Sequence, residues 1–229
     1  MSDLAAVGAE PVAAVAAYGA PTLERSAVAA FLDGAVAVCD RTDAEYVGGD
    51  LNAHSELTVA STALGRVSSP VDRSGASPGE AVCVTGRLGR TAAALALFEG
   101  GDHERANELF RFEPRTAAGQ VLADVATAMI DSSDGLARSV HQLAAASGCG
   151  IALESPFPIH EAVPADRSRD SLFVGEDFEL VCTVSPNAVE SLRQKLPVAF
   201  TRVGTTTDGS VTIDGEPLPD RGYDHGNQS

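Results

Sequence analysis

The segment TAMIDSSDGLARSVHQLAAASG, residues 127–148, holds the pattern on which the interpretation of the whole sequence depends. It opens on a short apolar run, continues through four polar residues and ends in a stretch whose apolar residues have helical spacing. This order predicts a buried strand that ends at the polar residues and a helix that runs from about Gly135 to Ser147. The four polar residues, here called the acid junction, are Asp131, Ser132, Ser133 and Asp134.

Two interpretations of the acid junction are open from the sequence. A serine or aspartate before a helix commonly accepts a hydrogen bond from the first backbone N–H groups, and such a cap explains one of the residues. It does not explain Asp131, whose charge is disfavoured near Asp134 unless a cation lies between them. Mg²⁺ prefers carboxylate oxygens and leaves positions for phosphate oxygens, while the N–H groups at a helix start attract an anion. The junction is therefore either a helix cap or a metal–phosphate site.

A second acidic motif, Gly48-Gly49-Asp50, follows the predicted strand AEYV. The two glycines permit positive φ angles and a close approach of the backbone to a ligand. An ordinary turn at the end of a strand explains the same three residues, so the motif alone does not decide between a turn and a binding site.

The third acidic motif is GEDFEL, residues 175–180, which leads directly into the apolar run VCTV. Glu176 and Asp177 are predicted to lie in the turn before a strand, where they are either solvated or oriented towards a substrate amine or hydroxyl group. Glu179 is predicted to alternate outward from the strand into solvent.

Arg73 lies in a stretch rich in serine, proline and glycine, VSSPVDRSGASPGE, residues 67–80. Its guanidinium either bridges phosphate oxygens in a bidentate way or pairs with a surface carboxylate. The stretch itself is the predicted junction between two domains, residues 1–70 and 71–229.

Helical and strand patterns occur on both sides of this junction. They predict a helix over residues 22–42 that Thr22 caps, and further helices near 90–100, 103–111, 116–124 and 186–196. Strands are predicted at PVAAVAAYGAP, AEYVGGD, SELTVASTALGRV, AVCVT, CGIALES and DFELVCTV, and near 199–204. Mixed elements of this sort predict an α+β fold in two parts.

The composition is strongly acidic, with a formal net charge of −16 over 229 residues and Lys195 as the only lysine. So much negative charge argues against nucleic acid or an anionic membrane as a partner. An acid excess with almost no lysine is typical of a salt-rich cytoplasm, where screening shortens the reach of self-repulsion. No apolar run approaches the roughly 18 residues of a membrane span, and no basic-then-apolar leader opens the sequence. We therefore expect a cytoplasmic location.

Several common motifs are absent from the sequence. The five histidines have no H-x-x-x-H or H-E-x-x-H spacing, and the four cysteines form no C-x-x-C pair, so the sequence predicts neither a zinc site nor a disulfide framework. There is no G-x-x-x-x-G-K-[ST] and no G-x-G-x-x-G after a strand. Nucleotide phosphates would therefore be bound without a P-loop.

Six segments, in order along the chain, carry a resemblance to the thiamine-monophosphate kinases, which belong to the superfamily of aminoimidazole-ribotide synthetase and selenophosphate synthetase. The resemblance covers nearly the whole chain, and the I-D-x-S-D-G-L-A and G-E-D-[FY]-E-L patterns are fairly specific for the kinases. The segments are MSDLAAVGAEP, YVGGD, RSGASPGEAVCVTGRLG, AMIDSSDGLARSVHQLAAASGCG, GEDFELVCTV and DGEPLPDRGYDH.

The resemblance implies a two-domain α+β fold like that of aminoimidazole-ribotide synthetase. It implies direct transfer of the γ-phosphoryl group of ATP to thiamine monophosphate, which gives thiamine diphosphate, with several Mg²⁺ ions present. Catalysis of this kind consists mainly of positioning and charge neutralisation, so no residue is expected to act as a catalytic acid, base or nucleophile.

The motifs also assign roles by position. As the resemblance implies, the metal ligands are Asp3, Asp50, Asp131 and Asp134. The implied ATP contacts are Gly49, Asp50, Arg73 and Ser133, and the implied contacts to thiamine monophosphate are Glu176 and Tyr223.

The family normally has a further segment before SDLAA, with a GDDAA motif that binds Mg²⁺ and nucleotide. The resemblance therefore implies that the N-terminal domain is truncated in this sequence, and that the full-length protein is a homodimer. Two alternatives are left open by the residues: another ATP-dependent member of the superfamily with a different acceptor, and a catalytically inactive relic that binds nucleotide.

Overall fold

The computed structural model describes residues 1–223, so Asp224 and His225 of the last motif segment lie outside the described residues. In order, the elements are α1 (Ser2–Ala6), β1 (Glu10–Ala20), α2 (Arg25–Arg41), β2 (Glu45–Ala53), β3 (Thr58–Arg66), β4 (Ala81–Thr85), α3 (Arg90–Glu99), α4 (His103–Phe110), α5 (Thr116–Ala123), β5 (Ala126–Asp131), α6 (Leu136–Ser147), β6 (Gly150–Leu153), β7 (Leu180–Val184), α7 (Val189–Lys195), β8 (Phe200–Thr207), β9 (Thr212–Ile213) and β10 (Glu216–Pro217). Short 3₁₀ turns cover residues 165–167, 170–173 and 186–188.

The first part of the chain forms a three-stranded sheet in the order β2-β1-β3. Helix α2 crosses over between the parallel strands β1 and β2, and β3 returns antiparallel to β1. The predicted strands and helix are confirmed here, but the predicted cap is wrong. The residue before α2 is Glu24 rather than Thr22, and its side chain makes no capping hydrogen bond.

The sequence had suggested that the Gly48-Gly49-Asp50 motif ends a strand, but in the structure it does not. Strand β2 continues through it to Ala53, and the pairing with β1 shifts its register just before Gly48, whose φ is 142°. A Cβ atom on Gly49 would lie 2.0 Å from the carbonyl oxygen of Ala16. The glycines are therefore required by an irregular strand pairing that brings two backbones close together.

The second part forms a seven-stranded sheet in the order β10-β9-β6-β8-β4-β7-β5. Its neighbours are antiparallel except for the parallel pair β6 and β9. Helix α6 packs beside β5 and β6, while α1 contacts β5 and β7 and α7 contacts β8. Two sheets with helices packed on them confirm the predicted α+β fold class. Residues 67–80 between the sheets form no helix or strand, and the domain boundary placed there stays a prediction.

Helices cover both faces of the seven-stranded sheet, and the sequence of its central strands follows from this. Every residue of β4 and β7 is buried, in contrast to the alternation of a sheet with one wet face. Val82 and Val84 of β4 pack on the α6 side, whereas Ala81 and Cys83 pack on the side of α1, α5 and α7. No helix within residues 1–223 has the length and apolar character needed to cross a membrane.

The short helix α1 is fixed by its packing on α5. Gly119 of α5 lies so close to α1 that a Cβ atom there would be 2.1 Å from the carbonyl oxygen of Ala5. Ala5 is fully buried, and its neighbours in α1 contact β5 as well. This close packing determines where Asp3, the first acidic residue of the chain, lies relative to the end of β5.

Gly119→Ala is expected to lower the free energy of unfolding by about 1–3 kcal/mol, because the added methyl group collides with backbone rather than with a side chain that can move. The matched control is Gly34→Ala in α2, where a Cβ atom meets nothing within 4 Å. That change is expected to stabilise by about 0.5–1 kcal/mol through the unfolded state and helix propensity. Urea titrations of the three proteins provide the measurement; equal effects of the two substitutions would contradict the close packing of α1 on α5.

Candidate active site

The acid junction lies between β5, which ends at Asp131, and α6, which begins at Leu136. The N-cap position of α6 is taken by Gly135, with φ 97° and ψ 156°, and no side chain caps the helix. The helix-cap interpretation of the acid junction is therefore wrong. Asp131 and Ser132 are buried, whereas Ser133 and Asp134 are partly exposed.

Asp131 and Asp3 line the same cavity, which has a volume of about 430 Å³ and is here called the acidic cavity. Its walls come from α1, from the end of β5 and from the segment between the two sheets, which contributes Asp72, Arg73 and Ser74. The N–H of Met129 in β5 donates a hydrogen bond to the carbonyl oxygen of Asp72 (3.0 Å). This backbone contact holds the neighbouring Arg73 beside the acids.

Burial and neighbouring acids disfavour the ionised form of Asp131 in the acidic cavity. Asp131 is only 4% exposed, and burial raises the pKa of its carboxyl group above the ordinary value. Asp3 and Asp134 raise that pKa further by repulsion, while Arg73 acts in the opposite direction. The guanidinium of Arg73 is exposed and also donates a hydrogen bond to Oε1 of Gln142 (3.3 Å).

The donor set of the acidic cavity fits a hard divalent cation. Carboxylate oxygens are the ligands that Mg²⁺ prefers, and the mutual repulsion of Asp3 and Asp131 is relieved by positive charge between them. Within residues 1–223, no group of three or more histidine, cysteine, aspartate or glutamate side chains is close enough to enclose an ion. Asp3 and Asp131 would supply the carboxylate oxygens, and water or phosphate oxygens would have to supply the remaining ligands of Mg²⁺.

Of the predicted site residues, Asp3, Arg73 and Asp131 line the acidic cavity, whereas Ser133 and Asp134 do not, so the metal role of Asp134 and the nucleotide role of Ser133 stay predictions. Gly49 and Asp50 belong to β2 and are not among the residues that line it. The carboxylate of Asp50 accepts hydrogen bonds from the N–H of Leu51 (3.0 Å) and from Nδ2 of Asn52 (2.7 Å). The metal and nucleotide roles of Asp50, and the nucleotide role of Gly49, stay predictions.

The predicted substrate contacts lie directly beside the acid junction. The N–H of Glu176 donates to the carbonyl oxygen of Ser133 (2.8 Å), and the N–H of Tyr223 donates to that of Asp134 (3.2 Å). Both side chains are exposed. Two segments that are distant in sequence therefore flank Ser133 and Asp134 through backbone hydrogen bonds, and the substrate roles of Glu176 and Tyr223 stay predictions.

Glu179 is not solvated, contrary to the sequence prediction, and of the two interpretations of Asp177 the solvated one is wrong. Asp177 and Glu179 are 3% and 2% exposed. Glu179 accepts hydrogen bonds from the guanidinium of Arg115 (2.5 and 2.7 Å) and from the hydroxyl of Thr85 (2.7 Å). The prediction assumed that one face of β7 is wet, whereas helices cover both faces. Nothing in the sequence around Arg115 indicates that this residue pairs with the buried Glu179.

A second cavity of about 790 Å³ adjoins the acidic cavity, because Asp3 borders both. Phe112 and Phe178 contribute aromatic surface to it, and their rings stack with centroids 5.4 Å apart and an interplanar angle of 10°. Phe178 has a φ of 54°, which is unusual for a bulky side chain. Sequence reasoning did not identify these two aromatic residues as neighbours of the site.

Comparison of the sequence with known proteins shows the family to which the chain belongs. Residues 1–67 match the family model described as AIR synthase related protein, N-terminal domain, and residues 77–215 match the corresponding C-terminal domain. The thiamine-monophosphate kinase of Halobacterium salinarum is 54% identical over 98% of this chain and 80% of its own length. That of Methanospirillum hungatei is 42% identical over 98% of this chain and 77% of its own length.

Solved structures give the same result. The crystal structure of thiamine-monophosphate kinase from Stenotrophomonas maltophilia superimposes with a TM-score of 0.87 at 33% identity, over 94% of this chain and 75% of the other. AaThiL complexed with AMPPCP and TMP also gives a TM-score of 0.87, at 26% identity, over 98% of this chain and 76% of the other. HypE of Escherichia coli, at 20% identity and a TM-score of 0.79, shares the fold.

Asp131→Asn is expected to raise the free energy of unfolding at pH 7 in the absence of divalent cations. The raised pKa means that the ionised carboxylate is less favourable in the folded than in the unfolded state. Stability of the parent protein is therefore lost as the pH rises from the ordinary carboxyl pKa through the raised one. The gain from Asp131→Asn vanishes at pH values below both, where the carboxyl group is protonated in either state.

Urea titrations across a pH series measure this effect, with Asp208→Asn, at an exposed position, as the control that is expected to change little. An Asp131→Asn protein that is less stable than the parent at pH 7 would show that a favourable contact, rather than repulsion and burial, dominates at this residue.

Proposed function

The chain belongs to the AIR synthase related protein family, and from this premise we propose that it transfers the γ-phosphoryl group of ATP to thiamine monophosphate. The products are ADP and thiamine diphosphate. Thiamine-monophosphate kinases that match 98% of this chain support the reaction, and so does a neighbour solved with TMP and AMPPCP, an ATP analogue.

The observation that carries this proposal is the shared cavity of Asp3 and Asp131, in which buried negative charge faces Arg73. Such a cavity is unfavourable in the free protein and becomes favourable when cations and phosphates enter it together. A helix cap or a simple surface charge would not require acids from α1 and β5 to meet. Phosphoryl transfer requires this combination, because its transition state is stabilised mainly by positioned charges.

Asp3 and Asp131 are the residues that would hold Mg²⁺ in the acidic cavity, with Asp134 at its margin. When bound there, Mg²⁺ neutralises the charge of the phosphate oxygens. Arg73 offers a second, fixed positive charge for the same oxygens, and its planar guanidinium can donate two parallel hydrogen bonds. The N–H groups at the start of α6 point towards the acid junction and add partial positive charge for an anion.

The acceptor side of the site is proposed to consist of Glu176 and Tyr223, which flank Ser133 and Asp134. Their task is to hold thiamine monophosphate so that an oxygen of its phosphate reaches the γ-phosphorus of ATP. A new P–O bond then forms as the bond to ADP breaks, and orientation supplies most of the effect. Gly49 and Asp50 are proposed as further nucleotide and metal contacts on β2.

We further propose a homodimer that works in the cytoplasm. Exposed apolar side chains on β2 and β3, among them Leu51 and Leu64, support self-association through the three-stranded sheet. The net charge of −16 supports a salt-rich interior and argues against binding to nucleic acid or to an anionic membrane. We propose that the first domain ends at residue 70 and that the second domain begins at residue 71.

Purified protein with labelled ATP and Mg²⁺ is expected to phosphorylate thiamine monophosphate, because thiamine-monophosphate kinases match nearly the whole chain. Other acceptors, such as an aminoimidazole precursor or selenide, are expected to give no product above background. The measurement is the appearance of labelled thiamine diphosphate on a chromatogram. Turnover with one of the other acceptors alone would refute the assignment, and binding of ATP without any turnover would identify a silent nucleotide-binding relic.

Removal of Mg²⁺ by a chelator is expected to abolish turnover. Asp3→Asn is expected to raise the Mg²⁺ concentration for half-maximal rate by about tenfold or more, because one of the few carboxylate ligands is lost. Asp208→Asn, an exposed acid on another surface, serves as the control and is expected to leave the Mg²⁺ dependence unchanged. An unchanged Mg²⁺ dependence of the Asp3→Asn protein would remove Asp3 from the proposed ligand set.

A further inference from the structure

The acceptor loop, residues 175–179, has a backbone conformation that requires an external restraint. Glu176 and Phe178 both have positive φ angles, 64° and 54°. Side chains other than glycine adopt this region at a cost, and they retain it only where the surroundings enforce it. The exposed side chain of Glu176 therefore has a defined position only as long as its neighbours hold the loop.

The first restraint comes from Asp177, the buried residue between these two. Its carboxylate accepts hydrogen bonds from the N–H of Gly89 (2.5 Å) and from the N–H of Thr91 (3.0 Å). These groups lie at the start of α3, where backbone N–H groups have no partner within the helix. The side chain of Asp177 thus ties the acceptor loop to the beginning of α3.

The second restraint comes from Arg90, which lies between those two N–H donors. Its guanidinium donates to the carbonyl oxygens of Glu176 (3.2 Å) and Asp177 (2.8 Å) in the loop, and to that of Leu109 (2.6 Å) at the end of α4. Arg90 is only 9% exposed, and its guanidinium carbon lies 4.0 Å from the centroid of the Phe112 ring, which stacks on Phe178.

The acceptor loop in turn holds the acid junction. The N–H of Phe178 donates to the carbonyl oxygen of Ser132 (3.1 Å), and the N–H of Glu176 donates to that of Ser133 (2.8 Å). The N–H of Ser132 donates back to the carbonyl oxygen of Glu179 (2.7 Å). Displacement of the loop therefore displaces the residues beside Asp131 and Asp134 as well.

We propose that Arg90 is a positioning residue for the phosphate acceptor. It touches neither substrate; it holds the carbonyl groups of the acceptor loop so that Glu176 faces the acid junction at a fixed distance. This inference rests on the proposed function. Lysine cannot replace Arg90, because a single ammonium group cannot reach three carbonyl groups in different directions while its stem also covers an aromatic ring.

The test compares Arg90→Lys with the parent protein in steady-state kinetics. The KM for thiamine monophosphate is expected to rise about tenfold or more, the loss of an oriented contact being worth roughly that factor. The KM for ATP is expected to change much less, because Arg73 and the acidic cavity do not contact Arg90. The matched control is Arg193→Lys, in which an arginine bonded to the carbonyl oxygen of Phe200 is changed on another surface; it is expected to leave both KM values unchanged.

A second measurement does not depend on activity. Hydrogen exchange of the backbone N–H groups of Glu176 and Phe178 is expected to accelerate about tenfold or more in Arg90→Lys, while the strands β4 and β7 keep their protection. A merely structural role would lower the protection of the whole sheet, reduce the active fraction and leave the KM for thiamine monophosphate unchanged. That combination would overturn the proposal.

The failure of this inference is distinguishable from that of the proposed function. A parent protein that does not phosphorylate thiamine monophosphate contradicts the function, and with it the acceptor role of the loop. Normal turnover by the parent, together with an unchanged acceptor KM and unchanged exchange at Glu176 and Phe178 in Arg90→Lys, contradicts only the positioning role of Arg90.

Discussion

The burial of the Asp131 carboxylate beside Asp3 is the constraint on which the candidate site depends. One carboxylate comes from the first helix and the other from the end of a buried strand, and burial makes the second one expensive to ionise. Positive charge in the cavity would relieve the repulsion between these two carboxylates.

The scaffold that imposes this repulsion is rigid for identifiable reasons. Helices on both faces bury every residue of β4 and β7, and the close contact of Gly119 with Ala5 packs α1 tightly against α5. On the other side of the acids, backbone hydrogen bonds join the acceptor loop to Ser132 and Ser133. The site is thus built from short segments, each held by a packed element rather than by the ligand.

Local patterns in the sequence were sufficient for most elements but not for the site's geometry. The strand and helix around the acid junction follow from apolar spacing, and the structure has β5 and α6 there. The burial of Glu179 was not predictable, because alternation along a strand does not reveal that both faces of a sheet are covered. The meeting of Asp3 with Asp131 was expected only from the resemblance; nothing local in either segment indicates that α1 packs beside β5. The irregular pairing at Gly48 likewise depends on β1, a partner strand that the motif does not contain.

The contact between Met129 and Asp72 has a consequence for the behaviour of the protein at high concentration. Strand β5 is the last strand of its sheet, and an uncovered terminal strand invites another chain to add to it. The segment that brings Arg73 to the cavity covers part of this edge, because the carbonyl oxygen of Asp72 accepts a hydrogen bond from the N–H of Met129 in β5. A lengthened or misplaced segment would therefore move the positive charge of Arg73 away from the acids. It would also expose the edge of β5, to which another chain could add.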